Sequence, residues 1–490
     1  MEESSLLWQE TLCREQKAPC CTFVIFGASG DLAMRKLFPA LFALHKSGLL
    51  HENTKIIGCA RHPFTTGTFR EKIASGLSTE GAQAENQIRS FLEHISYTVL
   101  DYSTQEDFKN LAAGIPEQGL VIFYLALPSM IYPQTIRHLS ESGLLREDPA
   151  GTRKCQAVFE KPFGLDLASF RRLDRELKKY ITEQQIYRID HYLGKETVQN
   201  IFLLRFANRI FEPVWNRDHI DSIQITVSEM LGVENRAGYF DRAGILRDMF
   251  QNHLLEVLSL VTMECPEEFS ADSVRKEKLK LIRSIRSPGP EDAVRAQYES
   301  YTREKGIAPD SRTETFAAMR LWIDSPRWKG VPVYLRAGKK LACRKTQIHI
   351  LFKSVPRSIF PGIRKEDLCR NVLSLSIQPQ EGLALTLQAK KPGPKLCMGK
   401  LTLRYGHTGE KAGVLDAYAR LLLDCQLSDQ TLFIKSDIIE SSWKLFRNLL
   451  QQWEKDRETP MLLYRDGSAG PEKSFSIPEK DARQWMDGLC

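Results

Sequence analysis

The stretch CTFVIFGASGDLAMRKLFPAL, residues 21–41, decides how the first third of the chain folds. A run of apolar residues ends at Gly27. A turn of mostly small residues follows, Gly27-Ala28-Ser29-Gly30-Asp31-Leu32-Ala33-Met34, and a helical pattern begins directly after it. Glycines permit a tight turn and let backbone N–H groups approach a pyrophosphate at a helix N-terminus. The spacing is G-x-x-G-x-x-A rather than G-x-G-x-x-G, so the context carries more weight than the motif. The alternative is an ordinary strand-to-helix turn in which Asp31 is a plain cap. In a dinucleotide site the second strand ends near the adenosine ribose, where an acid suits NAD and a cation suits the 2′-phosphate of NADP. Here IIGCA runs into Arg61-His62 with no acid, which favours NADP. The alternative for Arg61 is a surface arginine.

Working outward, short apolar runs alternate with helical patterns from Cys20 to about Asp190. The runs are TFVIFG (22–27), TKIIGCA (54–60), ISYTVL (95–100), GLVIFYLALP (119–128) and CQAVFEKP (155–162). Strand runs separated by helices predict a Rossmann-like, doubly wound parallel sheet over 20–190. Beyond Leu193 the pattern changes. Several strand-like runs between 314 and 405 have few helices between them, which predicts a large, mostly antiparallel sheet with helices on one face in 191–490. The fold class is therefore α/β plus α+β. Residues 1–19 read as a polar lead, and the tail around DGSAGPEKS as loose.

At 490 residues the chain is long enough for two or three domains. Its +7 net charge comes from 68 basic against 61 acidic residues, with no dense Lys/Arg tract. That argues against nucleic acid and fits a small anionic substrate. No apolar run is long enough for a membrane helix, and the N-terminus is too polar and acidic for a signal peptide. The 11 cysteines are scattered, with no C-x-x-C and no metal spacing. Mostly free core thiols in a reducing compartment, no metal and a cytoplasmic location are the expectations.

The second half holds the chemistry. EKPFG (160–164) ends the last long strand of the first sheet, and Pro162 stops that strand and allows a cis bond. Lys161 is then either a crevice residue or a solvated lysine. IYRIDHYLGKETVQN (186–200) packs Asp190, His191, Tyr192 and Lys195 around Gly194. This is either a solvated loop or a grip for a phosphate. In GILRDMFQNHLLEVLSLV (244–261) a regular helix would set His253 among Ile245, Leu246, Met249, Val257 and Leu260. His253 is either a satisfied core histidine or a desolvated base. A base needs a carboxylate to fix its tautomer, and Asp190 is the candidate. The same regular helix would turn Asp248 ~140° away from His253.

The stretches GASGDLA, EKPFG, RIDHYLGKE, VQNIFLLRFANRIFEPVWNRDHID, GYFDRAGILRDMFQNHLLE and VYLRAGKKLACRK occur in this order. Together they resemble the glucose-6-phosphate dehydrogenase family, from about residue 20 to beyond 420. The resemblance implies an NADP-dependent oxidoreductase that converts glucose 6-phosphate to 6-phosphoglucono-1,5-lactone without a metal. It implies that Gly27 to Met34, Lys36, Arg61 and Tyr132 hold the cofactor, with Lys161 between cofactor and substrate. His191, Tyr192 and Lys195 would hold the 6-phosphate, and Glu229, Asp248, Lys339, Arg344 and Gln378 would lie near the sugar. His253 would be the base and Asp190 its partner. A homodimer or homotetramer is implied too. Some members bind a second, structural NADP. Arg336 and Lys345 fit that pattern, but Ser376 and His349 stand where those relatives carry arginine, so no tightly held second cofactor is expected. Rival readings are another sugar or inositol dehydrogenase, or a non-catalytic NADP(H) sensor.

Overall fold

The computed structural model describes residues 17–77, 82–394, 397–406 and 415–486. The polar lead therefore lies almost wholly outside the described residues. The chain divides into two units. One comprises Met1–Leu127, His138–Val158 and Tyr418–Asp429; the other comprises Pro128–Arg137, Phe159–Ala417 and Gln430–Cys490.

The first sheet contains β1 (Cys21–Phe26), β2 (Lys55–Ala60), β3 (Ile95–Val99), β4 (Gly119–Leu125), β5 (Arg153–Phe159) and β6 (Ile186–Arg188), in the order β3-β2-β1-β4-β5-β6. β1 pairs in parallel with β2 on one side and β4 on the other. All six of its residues are buried, as a central parallel strand requires. The strand order reverses at β1, and ligands of such sheets bind just beyond the strand ends at that point. Gly27 is the first residue past β1. Its φ is +76, and a Cβ there would lie 2.3 Å from the Ala126 carbonyl oxygen, so only glycine fits. The helix that follows is wound with i→i+5 bonds over Ala33–Leu37 before Phe38–Lys46 becomes α-helical. Pro39, near the start of the α-helical part, brings no N–H to bond the preceding turn.

The second sheet has nine strands: β7 (Ile220–Ser228), β8 (Ala293–Tyr298), β9 (Phe316–Trp322), β10 (Pro332–Gly338), β11 (Lys345–Phe352), β12 (Val372–Gln378), β13 (Gly382–Lys390), β14 (Met398–Gly406) and β15 (Leu462–Tyr464). Their order is β14-β13-β12-β11-β7-β10-β9-β8-β15. Only the β7–β10 and β8–β15 pairs are parallel, so the sheet is mixed but mostly antiparallel, as the sequence predicts. The helices Ala271–Ser284 and Ser436–Lys455 pack on each other, and Leu255–Thr262 is buried throughout.

Two expectations fail here. The tail is not loose as far as residue 486. β15 joins the sheet, and Trp485, 7% exposed, packs its ring over Arg336 and against Tyr334. Burial of one large aromatic anchors the segment despite its Gly- and Ser-rich approach. Nor are most of the described thiols free core residues. Cys21, Cys59, Cys155 and Cys425 are free and buried, Cys20, Cys265 and Cys397 are free and exposed, and Cys343 is disulfide-bonded.

Candidate active site

The second unit gathers its ionisable groups around one imidazole. His253 is 1% exposed. Its Nδ1 lies 2.5 Å from Asp190 Oδ1, and its Nε2 lies 2.7 Å from Lys161 Nζ. Lys161 also donates to the Asp248 carbonyl at 3.0 Å and to Asp248 Oδ1 at 3.2 Å. Lys161 lies just past the end of β5 and Glu160, and Pro162 after it cannot continue the strand.

A regular helix could not make this cluster. Residues Leu246–Leu254 are wound with i→i+5 bonds, and Gly244, at φ +68, breaks the helix just before them. In that wide turn residues five apart come back to one face. Asp248 and His253 therefore share a face, which overturns the ~140° separation expected of a regular helix.

The electrostatics follow from burial and neighbours. Burial pushes His253 below the ordinary imidazole value; Asp190 pulls it up and Lys161 pushes it further down, and the net direction is down. Burial would raise the Asp190 carboxyl, yet the charge and hydrogen bond of His253, with His191, hold it far below the usual carboxylate range. Asp190 Oδ1 also accepts the Tyr192 N–H at 2.9 Å, while its Oδ2 is buried with no hydrogen-bond partner. Asp248 is likewise held low, because Lys161, Arg236 and Lys339 outweigh its burial. The resting arrangement is thus an ionised Asp190 accepting Nδ1–H of a neutral His253, whose Nε2 lone pair faces Lys161. Asp190, His191 and His253 each offer an atom within 4.8 Å of the others. Two of the three residues are already bonded to each other, which suits a proton relay better than a cation.

The loop after β6 completes the site. The Tyr192 ring stacks on His253 with centroids 4.3 Å apart, and His191 meets His253 edge-on at 4.7 Å. Burial drives the His191 imidazole well below its usual value, so His191 is a neutral donor rather than a charge. The cation is Lys195, whose ammonium lies 5.2 Å from the Tyr192 ring centroid. Lys195 caps the helix Glu196–Phe206, and the first turn of that helix already holds one carboxylate: Thr197 donates its N–H and hydroxyl to Glu381. Gly194 is needed because a Cβ would come 2.5 Å from the Ala417 carbonyl oxygen.

The large sheet supplies two further pairs by register. Ser228 of β7 lies opposite Gly338 of β10 in a parallel pair, so the next residues, Glu229 and Lys339, emerge side by side and form an ion pair. Thr346 of β11 pairs with Gln378 of β12, which lets Arg344 Nη2 donate to the side-chain Oε1 of Gln378 at 2.7 Å. Two contributors have no local signal in the sequence. Arg236 lies 3.4 Å from Asp248 Oδ1, and Thr346 hydrogen-bonds the Tyr192 hydroxyl. Only packing brings them in.

The residues expected to hold the cofactor lie mostly in the first unit. After Gly27 the turn closes with the Gly30 N–H on the Gly27 carbonyl, and the first helical bond runs from the Met34 N–H to Gly30. The N–H groups of Asp31, Leu32 and Ala33 precede that bond, as a phosphate cradle needs. Ala28 and Ala33 are buried in the turn, whereas Ser29 and Leu32 are half-buried and Lys36 is exposed. Asp31 pairs with Arg35 at the surface, 3.5 Å apart. Arg61 is exposed just past β2. These residues fit a dinucleotide with a 2′-phosphate. Tyr132, in the second unit, does not present its side chain to a ligand. It is 0% exposed, and its hydroxyl donates to the Glu160 carbonyl at 2.9 Å. It braces the turn that carries Lys161. Arg336 and His349, weighed for a second cofactor, are buried and bonded to Thr226 and Ser374 respectively.

The family model for the glucose-6-phosphate dehydrogenase NAD-binding domain matches residues 24–200, and that for its C-terminal domain matches 202–486. The chain belongs to the glucose-6-phosphate dehydrogenase family. It is 40% identical to the glucose-6-phosphate 1-dehydrogenase of Chlamydia muridarum, across 95% of this chain and 97% of that one. It is also 40% identical to a cytoplasmic isoform from Solanum tuberosum, across 94% and 91%. A solved glucose-6-phosphate dehydrogenase, in complex with its substrate glucose 6-phosphate, superposes with a TM-score of 0.89 at 34% identity, covering 97% of this chain and 100% of that one. Like the family, the chain is an NADP-using oxidoreductase, and none of its described helices is long and apolar enough to cross a membrane.

Proposed function

We propose that this chain oxidises glucose 6-phosphate at C1 to 6-phosphoglucono-1,5-lactone, with His253 as the base. The observation that carries the reading is the buried chain Asp190–His253–Lys161. NADP⁺, held by the Gly27–Met34 turn and Arg61, supplies the hydride acceptor. His253 Nε2 takes the proton of the C1 hydroxyl, which must first displace the Lys161 ammonium. Asp248 offers that ammonium two other acceptors, so displacement leaves no bare charge. As His253 becomes cationic, ionised Asp190 stabilises it through Nδ1–H. Lys195 supplies the charge that pins the 6-phosphate, with His191 and Tyr192 as neutral donors. Grip at a distance from C1 orients the sugar and lowers the entropic part of the barrier. Glu229, Lys339, Arg344 and Gln378 line the sugar's hydroxyls. A cytoplasmic homodimer or homotetramer is the accompanying reading, supported by the cytoplasmic relative and the family.

The deciding experiment follows the absorbance of reduced nicotinamide with glucose 6-phosphate or free glucose as substrate. Wild type is expected to use the phosphorylated sugar strongly and free glucose barely. His253→Ala should lose on the order of 10²–10⁴ in turnover while still binding glucose 6-phosphate. Undiminished turnover in that variant would refute the base.

A further inference from the structure

A cleft of about 340 Å³ in the second unit lies apart from the catalytic cluster. Five arginines line it: Arg242, Arg247, Arg295, Arg312 and Arg457. Four acids line it too, and three of them are committed within the fold. Glu454 pairs with Arg247; Asp241 accepts the Tyr301 and Ser311 hydroxyls; Glu314 is buried and accepts the Leu246 N–H. Burial also pushes the Glu314 carboxyl upward, which lessens the negative charge facing the arginines. Two of the cations are answered less completely. Arg312 donates from Nη2 to the Thr459 carbonyl, but its Nε is buried with no hydrogen-bond partner. Arg457 is exposed at the rim. Arg295 is committed within the fold: it donates to the Trp453 and Asp456 carbonyls, pairs with the Asp456 carboxylate and covers the buried Trp453 ring. Volume and cations match a small ligand, and guanidinium forks bind phosphate two N–H groups at a time.

We propose that this cleft binds a small phosphorylated metabolite, its phosphates held by Arg312 and Arg457. The site is separate from the grip at Lys195. Its floor is Glu314, whose carbonyl and carboxylate hold the N–H groups of Ile245 and Leu246 where the segment bearing Asp248 and His253 begins.

The test reads binding, so it does not depend on the assigned reaction. The full-length protein and its Lys195→Ala variant, each saturated with NADP⁺ so that the Gly27–Met34 turn is filled, are titrated with inorganic pyrophosphate in a calorimeter, and with citrate as the carboxylate comparison. One pyrophosphate site is expected to persist in Lys195→Ala. Arg312→Gln/Arg457→Gln should weaken it by at least about tenfold. Arg457→Gln alone, a rim change with no bearing on folding, should weaken it several-fold. Pyrophosphate should bind more tightly than citrate. Loss of binding in Lys195→Ala, full binding in Arg457→Gln, or equal affinity for citrate would overturn the proposal.

Discussion

Asp248 and His253 stand five residues apart in one helix, and both meet the ammonium of Lys161, at 3.2 Å and 2.7 Å. The wide turn of Leu246–Leu254 makes this possible. It places a second carboxylate beside the base, ready to receive Lys161 when substrate takes its place.

The pH profile should carry the mark of that burial. His253 must be neutral to act, and its pKa lies below the ordinary 6.5. The acid limb of kcat is therefore expected below that value. Asp190 raises the His253 pKa, so Asp190→Asn should move the limb still lower and cut turnover by on the order of 10²–10⁴. A limb that rose in Asp190→Asn would contradict the pairing. Stability has the same sign. A folded pKa below the unfolded one means that stability from His253 is complete above 6.5 and fades as pH falls through the folded value. Asp190 and Asp248, depressed from 3.8, add a second loss at more acid pH, readable as a falling Tm.

Lys195 is the proposed cation of the phosphate grip, because burial drives His191 well below its usual pKa. Lys195→Ala should raise KM for glucose 6-phosphate by roughly 10–100-fold, the worth of one charge-assisted contact. The rate with free glucose should hardly change. An equal fall for both sugars would place Lys195 elsewhere in the site.

Arg61 stands exposed just past β2. Arg61→Ala is expected to raise KM for NADP⁺ about tenfold or more and to leave KM for NAD⁺ nearly unchanged. Steady-state kinetics with the two cofactors decide it. Parallel losses would remove Arg61 from the 2′-phosphate.

Gly244 has a φ of +68, and a Cβ there would sit 2.3 Å from Glu314 Oε1. Gly244→Ala should cost ~1–3 kcal/mol in chemical denaturation and lower turnover, because it displaces the start of the catalytic segment. Gly238→Ala, where a Cβ meets nothing within 4 Å, is the control and should cost nothing.

Much of this was legible from local chemistry. Alternating apolar runs and helical patterns yield the parallel sheet, since strand and helix periods are properties of contiguous residues. The Gly27 turn, the EKPFG stop and the Asp190–Lys195 loop are each contained in a few positions. Periodicity also put His253 on an apolar face, and the need for a tautomer-fixing carboxylate pointed to Asp190. The relation of Asp248 to His253 was not legible, because a residue count presumes one helical pitch and the i→i+5 winding appears only in the folded chain. The burial of Tyr132 and the anchoring of the tail by Trp485 depend on partners far along the sequence. Glu229 meets Lys339, and Arg344 meets Gln378, only because strand register joins segments that local sequence leaves unconnected. The chain order thus determined the elements and most of the reacting groups. Tertiary packing decided which charges face each other, because distance and desolvation are set by neighbours remote in sequence.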